Sequence, residues 1–251
     1  MTDQAVLTSV TGGVGHITLN RPKALHSLNL LMCETILAAL RDWQSDDDVH
    51  LVMIDHAEGT RGFCAGGDIA MLAASGKSDG REARAFFAEE YRMNAAIEAF
   101  PKPVLAIMDG VTMGGGVGLS VHGSHRLATE RTLFAMPETG IGLFPDVGGG
   151  WFLPRLRGML GTWLALTGAR LKGADVVGAG VATHFLPSEL VANLKRQVAE
   201  ADFGHGAAEM LGEILSRLTH PVPAPSYAPH VETINRCFAP DRAEDIVAAL
   251  E

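Results

Sequence analysis

Hydrophobic and polar positions follow two different periods along this chain, and each predicts its own elements. Residues 5–10 and 16–19 alternate as two strands of a hairpin around Gly12-Gly13. Across 29–43 the residues Leu30, Cys33, Leu37 and Leu40 recur at helical spacing, which predicts an amphipathic helix. The acidic run Asp46-Asp47-Asp48 ends it and reads as a solvated turn rather than a metal site. Residues 50–54 read as a buried strand, and a loop follows through Phe63-Cys64-Ala65-Gly66-Gly67-Asp68-Ile69. Residues 74–80 are polar and read as mobile. A second helix is predicted over 81–100, broken by Pro101-Lys102-Pro103 before an apolar strand at 104–108. Short strands are expected at 125–128 and 132–135, with helices from about Val147 onward. The stretch 219–229 is a proline-rich connector, and 231–251 reads as a small helical tail. Strands alternating with helices for two-thirds of the chain, then helices, indicate the α/β class.

The most specific chemistry sits in the glycines. Gly114, Gly115 and Gly116 follow an apolar strand at the start of a predicted helix. Glycines there admit close approach of a ligand to the backbone, and helix-start N–H groups carry partial positive charge. Such a place holds an oxyanion. Downstream, Glu138 and Asp146 are two carboxylates in a loop otherwise rich in apolar residues and glycine. Together these features suggest acyl chemistry, with Ile141, Leu143 and Phe144 as an apolar wall that raises a carboxylate pKa.

Composition narrows the picture further. The chain has 251 residues, 47% of them hydrophobic, enough for one domain or one domain with an appendage. A net charge of −9 without a basic block argues against nucleic acid as a partner. Cys33, Cys64 and Cys237 are far apart, so neither a disulfide framework nor a zinc site is expected. The first residues, Met1 to Val6, show no leader-like pattern, and nothing approaches a membrane span. The expectation is a cytosolic protein.

Several near-matches fail on spacing. Gly76-Lys77-Ser78 imitates the end of a phosphate-binding loop, but the required first glycine falls at Met71. Gly118-Leu119-Ser120-Val121-His122 imitates a nucleophile elbow without its last glycine, and reads as a packed helical serine. The glycine triplet lacks dinucleotide spacing and an acidic residue about 20 positions on. His122 and His125 lack further metal ligands nearby and read as structural.

The segments Asn20-Arg21-Pro22-Lys23-Ala24-Leu25, Phe63-Cys64-Ala65-Gly66-Gly67-Asp68-Ile69 and Met113-Gly114-Gly115-Gly116 resemble the enoyl-CoA hydratase/isomerase (crotonase) superfamily. Within it, Glu89-Glu90-Tyr91-Arg92-Met93-Asn94, residues 115–123 and residues 134–156 resemble the branch that hydrolyses 3-hydroxyisobutyryl-CoA. The likeness continues through Leu166-Thr167-Gly168, Leu171-Lys172-Gly173 and Ala182-Thr183-His184-Phe185 to Cys237-Phe238, nearly the whole chain.

The resemblance implies a crotonase-like spiral of ββα units with a helical C-terminal part. Residues 1–200 would form the spiral core with its first C-terminal helices, and 201–251 a helical tail around the proline-rich connector. Relatives of the hydrolase kind usually continue beyond such a tail with further helices. Assembly is expected as a homo-oligomer, trimer or hexamer. Backbone N–H groups of Gly67 and Gly115 would bind the thioester oxygen. Glu138 would attack the thioester carbon or activate the water that does, Asp146 would orient water or substrate, and Glu90 would meet the substrate's 3-hydroxyl. Lys23, Ala24 and Leu25, with the backbone near Gly66, Asp68 and Ile69, would receive CoA. No metal or redox cofactor is implied, since CoA arrives as part of the substrate. Hydratases of this family carry a glutamate where this chain has Gly118. Hydrolysis of a short 3-hydroxyacyl-CoA, as in valine breakdown, therefore leads. An enoyl-CoA hydratase/isomerase, or a catalytically weak acyl-CoA-binding subunit, is the alternative.

Overall fold

The computed structural model describes residues 4–203 and 206–251. The first three residues of the segment read for a leader therefore lie outside the described residues. The expected hairpin forms: β1 (Val6–Thr11) pairs antiparallel with β2 (Val14–Leu19), with Thr11 opposite Val14 across Gly12-Gly13. The first helix, α1 (Leu30–Gln44), starts at Asn29, whose side chain accepts the Met32 N–H at 3.0 Å. Replacing such a cap with alanine costs about 1 kcal/mol. Its buried stripe is Met32, Cys33, Ile36, Leu37, Leu40 and Trp43, wider than the predicted one because the helix packs against both β1 and a second helix.

From there the chain winds as a spiral in which each turn contributes one strand to each of two sheets. β3 (Leu51–His56) joins the larger sheet and β4 (Gly62–Cys64) the smaller. After α2 (Ile69–Gly76) and α3 (Arg81–Glu98), β5 (Val104–Met108) and β6 (Val111–Met113) repeat the pattern, followed by α4 (Gly115–Ser120). β7 (His125–Ala128) and β8 (Leu133–Ala135) make the third turn. Two very short strands absent from the sequence reading complete the sheets: β9 (Leu171–Lys172) pairs antiparallel with β8, and β10 (His184–Phe185) lies parallel to β7. At two residues each they offer no periodicity to read. The larger sheet runs β1-β2-β3-β5-β7-β10 and the smaller β4-β6-β8-β9.

The later helices are α5 (Gly149–Phe152), α6 (Leu160–Thr167), α7 (Ala174–Gly178), α8 (Val191–Glu200), α9 (Ala207–Leu218), α10 (Val231–Cys237) and α11 (Ala243–Leu250). Leu194, Val198, Leu211, Ile214 and Leu215 from α8 and α9 share one core with Val14, Leu51 and Leu105 of the larger sheet. Ile234, Phe238 and Ile246 share another with Phe134 and Leu164. The proline-rich connector is fixed to α7, because Ser226 gives its backbone N–H to Asp175 at 2.7 Å. All three cysteines are free and buried.

One expectation changes. Residues 74–76 close α2 and 77–80 turn tightly into α3, in place of the expected loose loop; Ser75 is buried and accepts the Ala83 N–H at 3.0 Å. Polarity there serves a hydrogen bond inside the protein, which composition does not distinguish from solvation.

Candidate active site

The site follows from the smaller sheet. β4, β6 and β8 are parallel neighbours in register, with Gly62 opposite Val111 and Val111 opposite Leu133. Their C-terminal ends therefore emerge side by side. β4 delivers Gly66-Gly67, β6 delivers Gly114-Gly115, and β8 delivers Pro137-Glu138. Gly66 takes φ 102° and Gly114 φ 47°, conformations a side chain would strain. A Cβ on Gly66 would stand 3.5 Å from the Gly115 nitrogen, so the two glycine loops touch backbone to backbone. Leu28 bridges the first loop, giving its N–H to Gly66 O (2.7 Å) and accepting that of Asp68 (2.9 Å). In such a parallel bridge the intervening N–H, that of Gly67, points away from Leu28. Among the described residues neither the Gly67 nor the Gly115 N–H has an acceptor. Both glycines line a cavity of about 450 Å³ with apolar walls that include Phe86, Phe87, Leu72 and Ile141.

Three carboxylates meet these loops. Glu90 on α3 is 2% exposed, and a Cβ placed on Gly115 would stand 2.4 Å from its Oε1, which has no protein partner. Glu138 is 5% exposed, with Oε1 3.1 Å from the same construction on Gly114 and Oε2 unpartnered. Burial, then the charges of Asp146 and Glu138, raise the Glu90 pKa to about 8. Burial, with Asp146 adding to it, raises that of Glu138 to about 7. Asp146 is 8% exposed and also raised by burial, restrained by a 2.8 Å hydrogen bond donated by Tyr91 Oη. This arrangement offers a carboxyl that holds its proton to about pH 8, a second poised near pH 7, and a third fixed in place by Tyr91.

The loop carrying Asp146 is itself strained. Val147 sits at φ 41°, a left-handed conformation rare for a β-branched residue. Two contacts hold it: its carbonyl pairs with His122 Nε2 at 2.9 Å, and its side chain packs on Gly118. His122 thus has the structural role read from the sequence. Ser120 does too, bonding the Gly116 and Val117 carbonyls within its own helix.

The family profile described as enoyl-CoA hydratase/isomerase matches residues 14–251. The chain belongs to that family. It is 48% identical over 251 residues to the mitochondrial 3-hydroxyisobutyryl-CoA hydrolase of Danio rerio, covering 98% of this chain and 65% of the relative. The human protein of the same name is 46% identical over 253 residues, covering 99% and 65%. The chain thus spans about 65% of the length of these curated relatives. Among solved structures, one named carnitinyl-CoA dehydratase from Mycobacterium thermoresistibile superposes with a TM-score of 0.91 at 44% identity, covering 98% of this chain and 70% of that one. Another, an enoyl-CoA hydratase from Rhodobacter sphaeroides 2.4.1, gives 0.82 at 40% identity, covering 98% and 74%. The fold is the crotonase-like α/β spiral that the resemblance implied. The expectation of a cytosolic protein is corrected: it rested on cysteine usage and on the first residues, and the curated relatives are named mitochondrial.

Family membership sharpens where each expected residue falls. Gly66, Gly67, Ile69, Glu90, Gly115, Glu138 and Asp146 all line the one cavity. Lys23, Ala24 and Leu25 are not among the residues that line it: Lys23 and Ala24 sit in a single 3-10 turn, and Leu25 follows at φ 48°. Leu25 O accepts the Ala65 N–H at 3.0 Å, which fixes this segment along the first glycine loop. His26, also left-handed, is buried and held near pKa 4 by that burial; its Nδ1 accepts the Arg21 N–H at 2.9 Å. The Asp68 side chain caps α2 and pairs with Arg21 at 3.0 Å, while its backbone N–H goes to Leu28 O and its carbonyl accepts the Leu72 N–H. Phe144 lines a different cleft from Ile141 and Leu143, which correct the single apolar wall expected from sequence. Leu143 and Phe144 are adjacent in a stretch outside any helix or turn, and their side chains go to opposite sides. No group of three or more His, Cys, Asp and Glu among the described residues is arranged to hold a metal.

Sequence reasoning assigned nothing to Tyr91 or Asn94. Both lie in the Glu89-to-Asn94 segment that carried the resemblance, at one and four positions beyond Glu90. A helical projection turns Tyr91 about 100° away from Glu90, so period alone does not bring it to the same site; the Oη contact with Asp146 does.

Proposed function

We propose that this chain hydrolyses the thioester of a short 3-hydroxyacyl-CoA, of the 3-hydroxyisobutyryl-CoA type, to the free acid and CoA. The observation that carries the reading is Glu138, its Oε2 without a partner, beside two acceptor-free backbone N–H groups in one apolar cavity. The 3-hydroxyisobutyryl-CoA hydrolases among its relatives support it. With the thioester oxygen between the Gly67 and Gly115 N–H groups, charge developing there is stabilised by about 3 kcal/mol per donor. Glu138 then adds to the acyl carbon to form a mixed anhydride, or takes a proton from the water that adds. In either case the C–S bond breaks, the CoA thiolate takes up a proton, and water supplies the oxygen of the product acid. Asp146, fixed by Tyr91, orients the water. Glu90, protonated at neutral pH, donates to the substrate's 3-hydroxyl. CoA would lie along Lys23, Ala24 and Leu25 and the backbone of Gly66, Asp68 and Ile69. The reading uses no metal or redox cofactor and places the enzyme in valine breakdown. It expects a homo-oligomer, trimer or hexamer, which sedimentation tests.

Relatives named hydratase and dehydratase keep the second reading in view. Gly118 weighs against it. A Cβ there would stand 2.8 Å from both Asn94 Oδ1 and Val147 Cβ, so a glutamate at this position has no room. The deciding experiment compares thiol release from 3-hydroxyisobutyryl-CoA with hydration of crotonyl-CoA. Fast thiol release and negligible hydration are expected. Hydration faster than any 3-hydroxyacyl-CoA hydrolysis overturns the reading in favour of a hydratase, and tight CoA binding without turnover favours an acyl-CoA-binding subunit.

A further inference from the structure

Helix α3 is a partition. Phe86, Phe87 and Glu90 face the cavity at the glycine loops, while Tyr91, Asn94, Ala95 and Glu98 face a second, open cleft of about 610 Å³. Among the described residues Asp146 alone lines both. An acyl-CoA seated in the first cavity has its thioester at Gly67 and Gly115 and its acyl group between Glu90 and Glu138. From that side the substrate itself stands between solvent and the carboxylates. Hydrolysis needs water at the acyl carbon in that same state.

The second cleft provides for it. Asn94 is 5% exposed, and neither its Oδ1 nor its Nδ2 has a protein partner. A buried carboxamide with both ends free can take a water that donates to one end and accepts from the other once the packing around it opens, since both amide atoms are closed to solvent in this arrangement. Its place depends on the glycine at 118, since a Cβ there would stand 2.8 and 2.9 Å from the two amide atoms. One turn earlier on the same helix, Tyr91 Oη holds Asp146 at 2.8 Å.

Resting on the hydrolase reading, we propose that the second cleft is the entrance and holding site for the hydrolytic water, separate from the acyl-CoA cavity, with Asn94 as the residue that positions it toward Asp146. Water enters past Gly150 and Trp151, pauses on the Asn94 carboxamide, and passes to the acyl carbon on the Asp146 side. Its oxygen forms the new bond to that carbon, its proton goes to a carboxylate, and the bond to the leaving group breaks. The route serves direct attack on the thioester and attack on a Glu138 anhydride alike.

The test fills the cleft without touching the first cavity. A Cβ on Gly150 meets nothing within 4 Å, so Gly150→Leu and Gly150→Phe project into open space. Loss of kcat graded with side-chain volume is expected, at least about 10-fold for phenylalanine, with KM unchanged within about two-fold. Asn94→Leu should lose kcat similarly, and Asn94→Ser, which restores a polar group and leaves room for water, should recover part of it. CoA affinity equal to the parent's shows that each variant is folded. A Gly150→Phe protein with the parent's kcat overturns the route. So does a rise in KM at constant kcat, which assigns the cleft to the acyl-CoA instead. Failure of the parent to release thiol from any 3-hydroxyacyl-CoA is a different result, and sinks the hydrolase reading itself.

Discussion

Two places in this protein gather buried carboxylates, and they treat them in opposite ways. At the far end of β3, Asp55 pairs with Lys195 at 2.7 Å and His16 at 2.9 Å, and accepts a hydrogen bond from Thr18 at 2.8 Å. Nearby, Asp109 pairs with Arg131 and Thr129. Burial alone pushes the Asp55 carboxyl up, but His16 and Lys195 outweigh it and hold the group below its usual range. At the glycine loops, Glu90 and Glu138 are as deeply buried and have no cation beside them, so burial prevails and both pKa values rise. Both places use carboxyl side chains. What differs is whether the fold supplies a partner, and a carboxylate left without one is held ready for a substrate.

Exchanging charge for shape at each place sharpens the contrast. The largest effect is expected for Glu138→Gln, which keeps the volume but can neither attack nor take a proton. Thiol release should fall at least about 100-fold with CoA affinity nearly unchanged, since acid–base catalysis alone contributes roughly 10²–10⁴-fold. A residual rate above about one per cent removes Glu138 from its role.

The pH profile comes next. Glu138 must be ionised and Glu90 protonated, so kcat/KM should rise through about pH 7 and fall through about pH 8. Glu90→Gln keeps the hydrogen-bond donor and removes the proton, so the alkaline fall should vanish while the acid limb stays. An unchanged alkaline limb assigns it to another group.

On stability the two places should respond with opposite sign. Lys195→Met leaves Asp55 with His16 and Thr18 and should cost about 2–4 kcal/mol, read as a lower Tm, with kcat unchanged. A smaller gain is expected at the site. Glu90 folds with a raised pKa, so the unfolded chain releases its proton first and stability falls as pH climbs from about 4.5 to about 8. Glu90→Gln escapes that loss and should melt at least about 3 °C higher than the parent at pH 8, with the gap closing toward pH 5. Equal melting at both pH values means that Glu90 is not strained by ionisation.

Much of this protein was legible before any coordinates. Helical spacing placed α1 and α3, a glycine pair placed the first hairpin, and motif positions brought Gly67, Gly115, Glu90, Glu138 and Asp146 forward as site residues. These are local signals, carried by period, turn chemistry or a run of residues. The tertiary structure decided what lies between elements. Parallel register of β4, β6 and β8 set three distant loops side by side, and burial without partners shifted their carboxylates. Helix α3 became a wall between two clefts, and Gly118 became the space that Asn94 fills. A sequence lists which groups are present and how each segment prefers to fold. Dielectric, exclusion and neighbourhood belong to pairs of segments far apart in the chain, and only packing brings those pairs together.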